Sequence, residues 1–430
     1  TGHRPIVSEP ELIHPAWQYC FPPGTLVVAE RGVVAIEDLA LSDRLYDQGG
    51  LLQPIRRLVR RPYNGQLVSI SCRKVLPLRC TPDHEILTGI VTGIAGNRRL
   101  TRLQWKRAAE IRAGDWLIVP KLSQDAEQPL TDPVMAYFYG RFVGDGSTTL
   151  YKEGPNRRGH VRITFGHREW QVAEDLLGIA SQYGGAHIIS TPGALQLQFG
   201  RTQLAREFRT RFGAGAATKR IPPDVMGAEP KIIKEFLRGY YEADGWKHGA
   251  EYEASTISIG LAIQLQLLIT RLGALPTLYP DKRAKMMRIL GRQAQVRDRW
   301  RIRIISSDSP AVFDESTPRR YRRAYYVHGP DGFAVPVKET GRHDYAGDVY
   351  DVQTFGSLLV NNLVVHNCGH PDRVGWLGKD RVILDWKHVS SVDVQAGRLQ
   401  LAAYRMAWNA LCPTEPVSRC FLVHLPTNGD

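Results

Sequence analysis

Two nine-residue strings constrain this chain more than anything else in it: FYGRFVGDG, Phe138 to Gly146, and LRGYYEADG, Leu237 to Gly245. They align position for position, and their aspartates, Asp145 and Asp244, stand 244 − 145 = 99 residues apart. Small residues recur four apart in both, Gly140 with Gly144 and Gly239 with Ala243. On a helix that spacing makes a smooth stripe along which two backbones approach closely. If the copies pack on each other, the two carboxylates meet at one end. Each copy precedes a β stretch with basic alternation and then a helix expected to be amphipathic, EWQVAEDLLGIASQYGG or SIGLAIQLQLLITRLGA. One duplication of this length predicts two similar halves facing each other, whereas a solenoid needs shorter and more numerous repeats.

Two carboxylates brought together favour a hard divalent cation, Mg2+ first, which activates water and stabilises the leaving oxygen of a phosphodiester. One aspartate before a glycine is ordinarily a solvated helix end; two aligned copies favour the functional reading. In HVRITFGHR, Arg162 and Thr164 share one face and Val161, Ile163 and Phe165 the other. In RWRIRII, Arg299, Arg301 and Arg303 oppose Trp300, Ile302 and Ile304. Such strands offer one core face and one phosphate- or base-reading face. For either strand alone, a plain solvated face fits equally well.

On these strings the middle of the chain resembles the two-repeat LAGLIDADG homing endonucleases. The resemblance implies an inserted α+β pseudo-twofold domain over 123–322, with repeats near 134–230 and 231–318. It also implies Asp145 and Asp244 as metal-binding acids, Mg2+ as cofactor, and a long asymmetric site in double-stranded DNA bound by a monomer. Lys219, in KRIPPDV, resembles the downstream lysine of that family, and a second such lysine falls near Lys282 or Lys285. Arg141, Val143 and Glu242 depart from the signature.

Around this middle lies a different texture. From Cys20 to about Lys121, and again in GDVYDVQTFGSLLVNNLVVHN, short Val, Ile and Leu runs alternate with Gly, Asp and Asn. Many short strands are expected there, in one all-β domain interrupted by the repeats. Its two ends carry nucleophiles. A Cys20 thiol can attack the preceding carbonyl and turn the Tyr19–Cys20 amide into a thioester, given a proton donor for the leaving amine. TPDHEIL places Thr81 and His84 three apart on a turn, able to polarise that carbonyl and protonate that nitrogen. Cys368 can capture the thioester, and Asn367 can cyclise on its own carbonyl with His366 assisting. Alone, T-x-x-H or H-N-C is a chance match; all four features in this order are a strong signal.

This shell resembles the Hint-type splicing domain of inteins, over 20–122 and 323–367. The resemblance implies a horseshoe-like all-β fold and splicing without a cofactor, and it carries Asp351 of GDVYDVQT into the site. Family members place a histidine between that aspartate and the terminal H-N; none stands there here.

Removing Cys20 to Asn367 joins 1–19 to 368–430 as α/β flanks. Asp372, Asp385-x-Lys387 on a strand, then Gln400 and Tyr404 at i, i+4 form an ordered set able to bind Mg2+ and orient a hydroxide onto phosphate. It resembles the RecB-like PD-(D/E)XK nucleases. Glu9 is a candidate upstream ligand, and an ordinary loop glutamate fits its position equally.

Composition agrees with this reading. The net charge of +13 suits a polyanionic partner. Six cysteines without a C-x-x-C pair suggest a reducing, cytoplasmic setting. No apolar run approaches the roughly 20 residues that cross a bilayer, so no membrane partner is expected. Two competing readings remain: a cleavage-only Hint autoprocessing domain, and a non-catalytic DNA-binding protein. The Asn367-Cys368 pair argues against the first, and the aligned aspartates against the second.

Overall fold

The computed structural model describes residues 20–94, 96–122, 126–151, 159–282, 286–289, 292–295, 297–316, 325–354, 356–366, 373–377 and 379–388. Near the C-terminus it describes 398, 401–402, 405–406, 408–409, 414 and 416–425.

Among the described residues, the two β-rich stretches combine in one system of 13 strands. The longest strand, Gly332–Gln353, runs antiparallel to Arg57–Cys72, and its first residues pair with Trp116–Pro120. Asn361 and Asn362 both take positive φ, 49° and 64°, the twist that a two-residue hairpin turn demands and asparagine tolerates. That turn reverses Leu358–Val360 into Leu363–Val365, and Val365 pairs with Ile86. Residue 366 is thereby delivered beside 84 and 85, with the His366 N–H donating to Glu85 O at 2.9 Å. Val27, Ile70, Ile86, Leu117, Val335, Val360 and Val365 are fully buried in one core drawn from both stretches. Along most of these strands they alternate with Val28, Leu87, Ile118, Ala334, Leu359 and Val364, which are buried in a second core shared with the middle of the chain, so this part of the sheet is covered on both faces.

Among the described residues the middle supplies seven helices: α1 (Pro133–Asp145), α2 (Trp170–Ser181), α3 (Thr202–Phe212), α4 (Pro223–Met226), α5 (Pro230–Asp244), α6 (Ile259–Thr270) and α7 (Ser309–Phe313). The carboxylate of Asp132 accepts from the Val134 and Met135 N–H groups, and Pro133 occupies the first turn of α1, where no N–H is needed. Two four-stranded antiparallel sheets follow α1 and α5 in turn, the first from 146–150, 159–165, 187–191 and 194–199, the second from 245–248, 251–256, 277–281 and 299–304. Val161, Ile163 and Phe165 face the core of the first, and Ile302 and Ile304 that of the second.

Helix α6 departs from the sequence expectation. It is not amphipathic: every residue from Leu261 to Thr270 is buried, including Gln264 and Gln266. It packs on the strand Gly32–Ala35 of the shell on one side and on the second sheet on the other. Each buried amide is satisfied. Gln264 accepts from Ile221 N–H at 2.9 Å and donates to Ile221 O at 2.8 Å. Gln266 donates to Lys74 O at 2.7 Å and accepts from Asn362 at 2.9 Å. A helix wedged between two hydrophobic layers buries its polar residues at a tolerable penalty only when such partners exist.

At the C-terminal side, Asp380–His388 pairs antiparallel with Arg373–Leu377 and parallel with Arg419–Leu425. No helix among the described residues is long and apolar enough to cross a membrane.

Candidate functional site

Two sites emerge, one in the shell and one in the insert. In the shell, Phe21 exchanges backbone hydrogen bonds of 2.8 Å with Tyr350, which fixes the buried Cys20 against the sheet. The Cys20 N–H donates to Thr81 Oγ1 at 3.0 Å, and the Thr81 N–H donates to Cys20 O at 2.9 Å. Thr81 therefore holds the very nitrogen that leaves if the Tyr19–Cys20 bond breaks.

The thiol has charged neighbours of both signs. Arg61 donates to Cys20 Sγ from Nε at 3.3 Å and from Nη2 at 3.2 Å. Burial pushes the thiol up to about 12, the charge of Asp351 adds to this, and Arg61 opposes it. His84 is fully buried with its ring centroid 4.2 Å from that of Phe21. Burial, then the ring of His366, push its imidazole down to about 3, while a hydrogen bond with the His366 backbone acts the other way. His84 is thus neutral near pH 7 and lies between the Cys20 neighbourhood and His366. The His366 ring packs edge-on against Trp105, with centroids 5.1 Å apart.

The structure therefore gathers Cys20, Thr81, His84, Asp351 and His366. Arg61 was missed from sequence. It stands in a run of arginines, RRLVRR, where nothing marks one as special. Only the register Val349↔Arg61, neighbouring the Phe21–Tyr350 bridge, singles it out.

In the insert, α1 and α5 pack backbone to backbone. A Cβ on Gly140 would lie 2.1 Å from Phe236 O, and one on Gly239 would lie 2.3 Å from Tyr137 O. Asp145 and Asp244 end these helices side by side. Burial pushes the Asp145 carboxyl up to about 6, with the charge of Asp244 adding to the effect. Asp244 is raised by burial, with Lys219 opposing. The ammonium of Lys219, its own pKa lowered by burial, donates to the Gly144 carbonyl oxygen. Two neighbouring acids whose charged forms are disfavoured by burial suit a hard divalent cation that would relieve the penalty. Among the described residues, no group of three or more His, Cys, Asp or Glu is gathered for a metal. Further oxygens would have to come from water and phosphate.

The unusual Arg141 is fully buried in α1, bonded to Glu169 at 2.8 Å and stacked over Phe165. Arg162 and Thr164 share the outward face of the first sheet. Arg299, Arg301 and Arg303 share that of the second, but they are not free cations: each is held by Asp281, Glu253 or Glu251. Lys282 is exposed. Glu9, Lys285, Asn367, Cys368, Asp372, Gln400 and Tyr404 lie outside the described residues. Asp385 and Lys387 lie on the strand Asp380–His388 with side chains outside the description.

The family described as LAGLIDADG-like domain matches residues 231–317. The ATP-dependent DNA helicase Hel308 of Thermococcus kodakarensis is 21% identical over 417 residues, covering 81% of this chain and 36% of its own length. The chain thus spans about a third of the length of this curated relative. Among solved structures, variants of the homing endonuclease I-DmoI are similar at 16% identity and TM-score 0.32, over 43% of this chain and 98% of theirs. A bacterial intein-like domain from Clostridium thermocellum is similar at 18% identity and TM-score 0.18, over 23% of this chain and 65% of its own. Residues 231–317 thus match a LAGLIDADG-like domain, and other stretches of the chain are similar to a homing endonuclease and to an intein-like domain.

Proposed function

We propose that the chain excises Cys20–Asn367 and joins Tyr19 to Cys368, and that its duplicated middle cuts double-stranded DNA. The observation that carries the first part is the meeting of both ends of the excised segment around His84. Phe21, which follows Cys20, and His366 are 366 − 21 = 345 residues apart, yet both border that one buried imidazole, and Cys20 itself is tied to Thr81 on the same turn.

The chemistry follows from the groups present. Cys20 Sγ attacks the Tyr19 carbonyl carbon, the C–N bond breaks, and the thiol proton ends on the Cys20 nitrogen. Arg61 stabilises the thiolate, Asp351, whose charge acts on the thiol, accepts its proton, and the Thr81–His84 turn steadies and protonates the leaving amine. The Cys368 thiol then takes the Tyr19 acyl group from Cys20. The Asn367 side-chain nitrogen closes on the Asn367 carbonyl and breaks the bond to Cys368. The freed Cys368 amine attacks the adjacent thioester and restores a peptide bond. No cofactor enters.

In the insert, Asp145 and Asp244 would hold Mg2+, which supplies an activated water and charge stabilisation at the phosphate. Lys219 steadies the Gly144 carbonyl beside them. Because the pseudo-twofold is complete within one chain, a monomer suffices for two strands of DNA. The flanks, with Asp372, Asp385, Lys387, Gln400, Tyr404 and Glu9, are read as parts of a RecB-like Mg2+-dependent exonuclease that splicing brings together.

Expression followed by mass analysis tests the first part: an Asn367→Ala chain should release Tyr19 on thiol treatment yet never ligate. The second part is tested by Mg2+-dependent cutting of the uninterrupted host gene. Cutting by Asp145→Asn at the parent rate refutes the metal assignment.

A further inference from the structure

The outward faces of the two sheets are chemically unlike, and the contrast goes beyond DNA binding as such. On the first sheet, the register Ser147↔Arg162↔Gln198 and the neighbouring Thr164↔Gln196 put hydroxyls, amides and one arginine on a common face. The Arg162 guanidinium lies 3.4 Å from Gln198 Oε1 and 3.1 Å from His160 Nε2, a neutral partner in each case. Among the described residues, no carboxylate joins this set. On the second sheet, Glu253↔Arg303, Ser255↔Arg301 and Asp281↔Arg299 line the corresponding face. There Arg301 donates to Glu253 at 2.7 Å and to Asp281 at 2.9 Å, Arg299 donates to Asp281 at 2.6 Å, and Arg303 is held by Glu251. Three cations meet three carboxylates, so this face has no net charge with which to collect phosphates. What it offers is a set of guanidinium forks fixed in direction, alternating with carboxylate acceptors.

Those two sets match different base edges. An oriented guanidinium donates to guanine O6 and N7, and a carboxylate accepts from the amino group of cytosine. Side-chain amides match adenine N6 and N7, and threonine methyls pack on the thymine methyl. We infer that the DNA target is compositionally polar: the half lying under Gln196 and Gln198 is A·T-rich, and the half lying under Arg299, Arg301 and Arg303 is G·C-rich. The inference rests on the endonuclease reading above and adds to it the class of sequence each half-site takes. Net neutrality of the second face also makes its grip on DNA depend on the base sequence more than on phosphates.

Fully randomised duplexes test this in two selections. One recovers molecules cut by the full-length chain in Mg2+. The other recovers molecules retained by the Asp145→Asn chain, whose outward faces are unaltered. The recovered sites should be A·T-rich on one side of the cut and G·C-rich on the other. The paired change Arg301→Met with Glu253→Gln, which removes both charges together, should relax one or two positions of the G·C half about tenfold and leave the other half unchanged. Gln196→Ala with Gln198→Ala should do the converse. Halves of equal composition, or both pairs of substitutions relaxing the same half, overturn the inference while leaving the endonuclease intact. A chain that neither cuts nor retains any duplex removes the endonuclease reading, and the inference with it.

Discussion

Replacing Asp145 by Asn should abolish DNA cutting and at the same time stabilise the metal-free protein. Folding moves the Asp145 carboxyl from 3.8 to about 6, because burial and the nearby Asp244 both disfavour its charge. At 1.36 kcal/mol per pH unit, this difference corresponds to about 3 kcal/mol. The native state holds the proton more tightly than the unfolded state, so stability is highest below pH 3.8. It falls as pH rises through the window from 3.8 to about 6, and the penalty is complete above it. Asparagine carries no charge and escapes the penalty. Water at the helix ends screens part of it, so the gain at pH 7.5 is expected at about 1 to 3 kcal/mol. The assay is urea unfolding in EDTA at pH 7.5 and pH 3.5, with Cys20→Ala and Asn367→Ala in both proteins to keep each chain in one piece. The variant should be the more stable protein at pH 7.5 and level with its parent at pH 3.5. Added Mg2+ should raise the parent midpoint and move the variant less. A variant less stable than its parent at pH 7.5, or a difference independent of pH, refutes the reading of these acids as a strained metal pair.

Other consequences follow from single contacts. Arg61→Met removes the cation bonded to Cys20 Sγ, so the thiol rises further and N-terminal cleavage by dithiothreitol should slow at least tenfold at pH 7, recovering as pH rises; Arg61→Lys should fall between. Gly140→Ala drives a methyl into the Phe236 carbonyl, which should destabilise the insert by about 1–3 kcal/mol in denaturant titrations and abolish cutting while sparing splicing chemistry. Asn362→Ala strips Ile263 and Gln266 of buried hydrogen bonds. It should cost about 1–3 kcal/mol and slow release at Asn367, because the same turn positions Leu363–Val365.

Much of this arrangement is legible in the chain itself. The repeated strings announce the helix pair because small residues four apart have one structural use, and the alternation in HVRITF and RWRIRI fixes which residues face outward. Cys20, Thr81, His84 and His366 are readable because order along the chain stands in for proximity. What escapes is what depends on partners from afar. Helix α6 looks amphipathic by its two glutamines, yet Gln266 is buried against Lys74 and Asn362, nearly two hundred and nearly one hundred residues away in sequence. Arg61 is invisible for the same reason: a strand register, not a local pattern, brings it to the thiol. The acids that neutralise Arg299, Arg301 and Arg303 come from two other strands, so a basic stripe in sequence becomes a charge-balanced face in space.

On the proposed function, Cys20 and His366 border one site because the segment between them is cut out and its flanks are joined. Mass spectrometry of the freshly expressed full-length chain, followed over hours under mild reduction, addresses it directly. The expected products are a released Cys20–Asn367 segment ending in succinimide or its hydrolysed asparagine, and a chain whose Tyr19 is peptide-bonded to Cys368. Intact chain alone, or separate flanks with no Tyr19–Cys368 peptide, contradicts it.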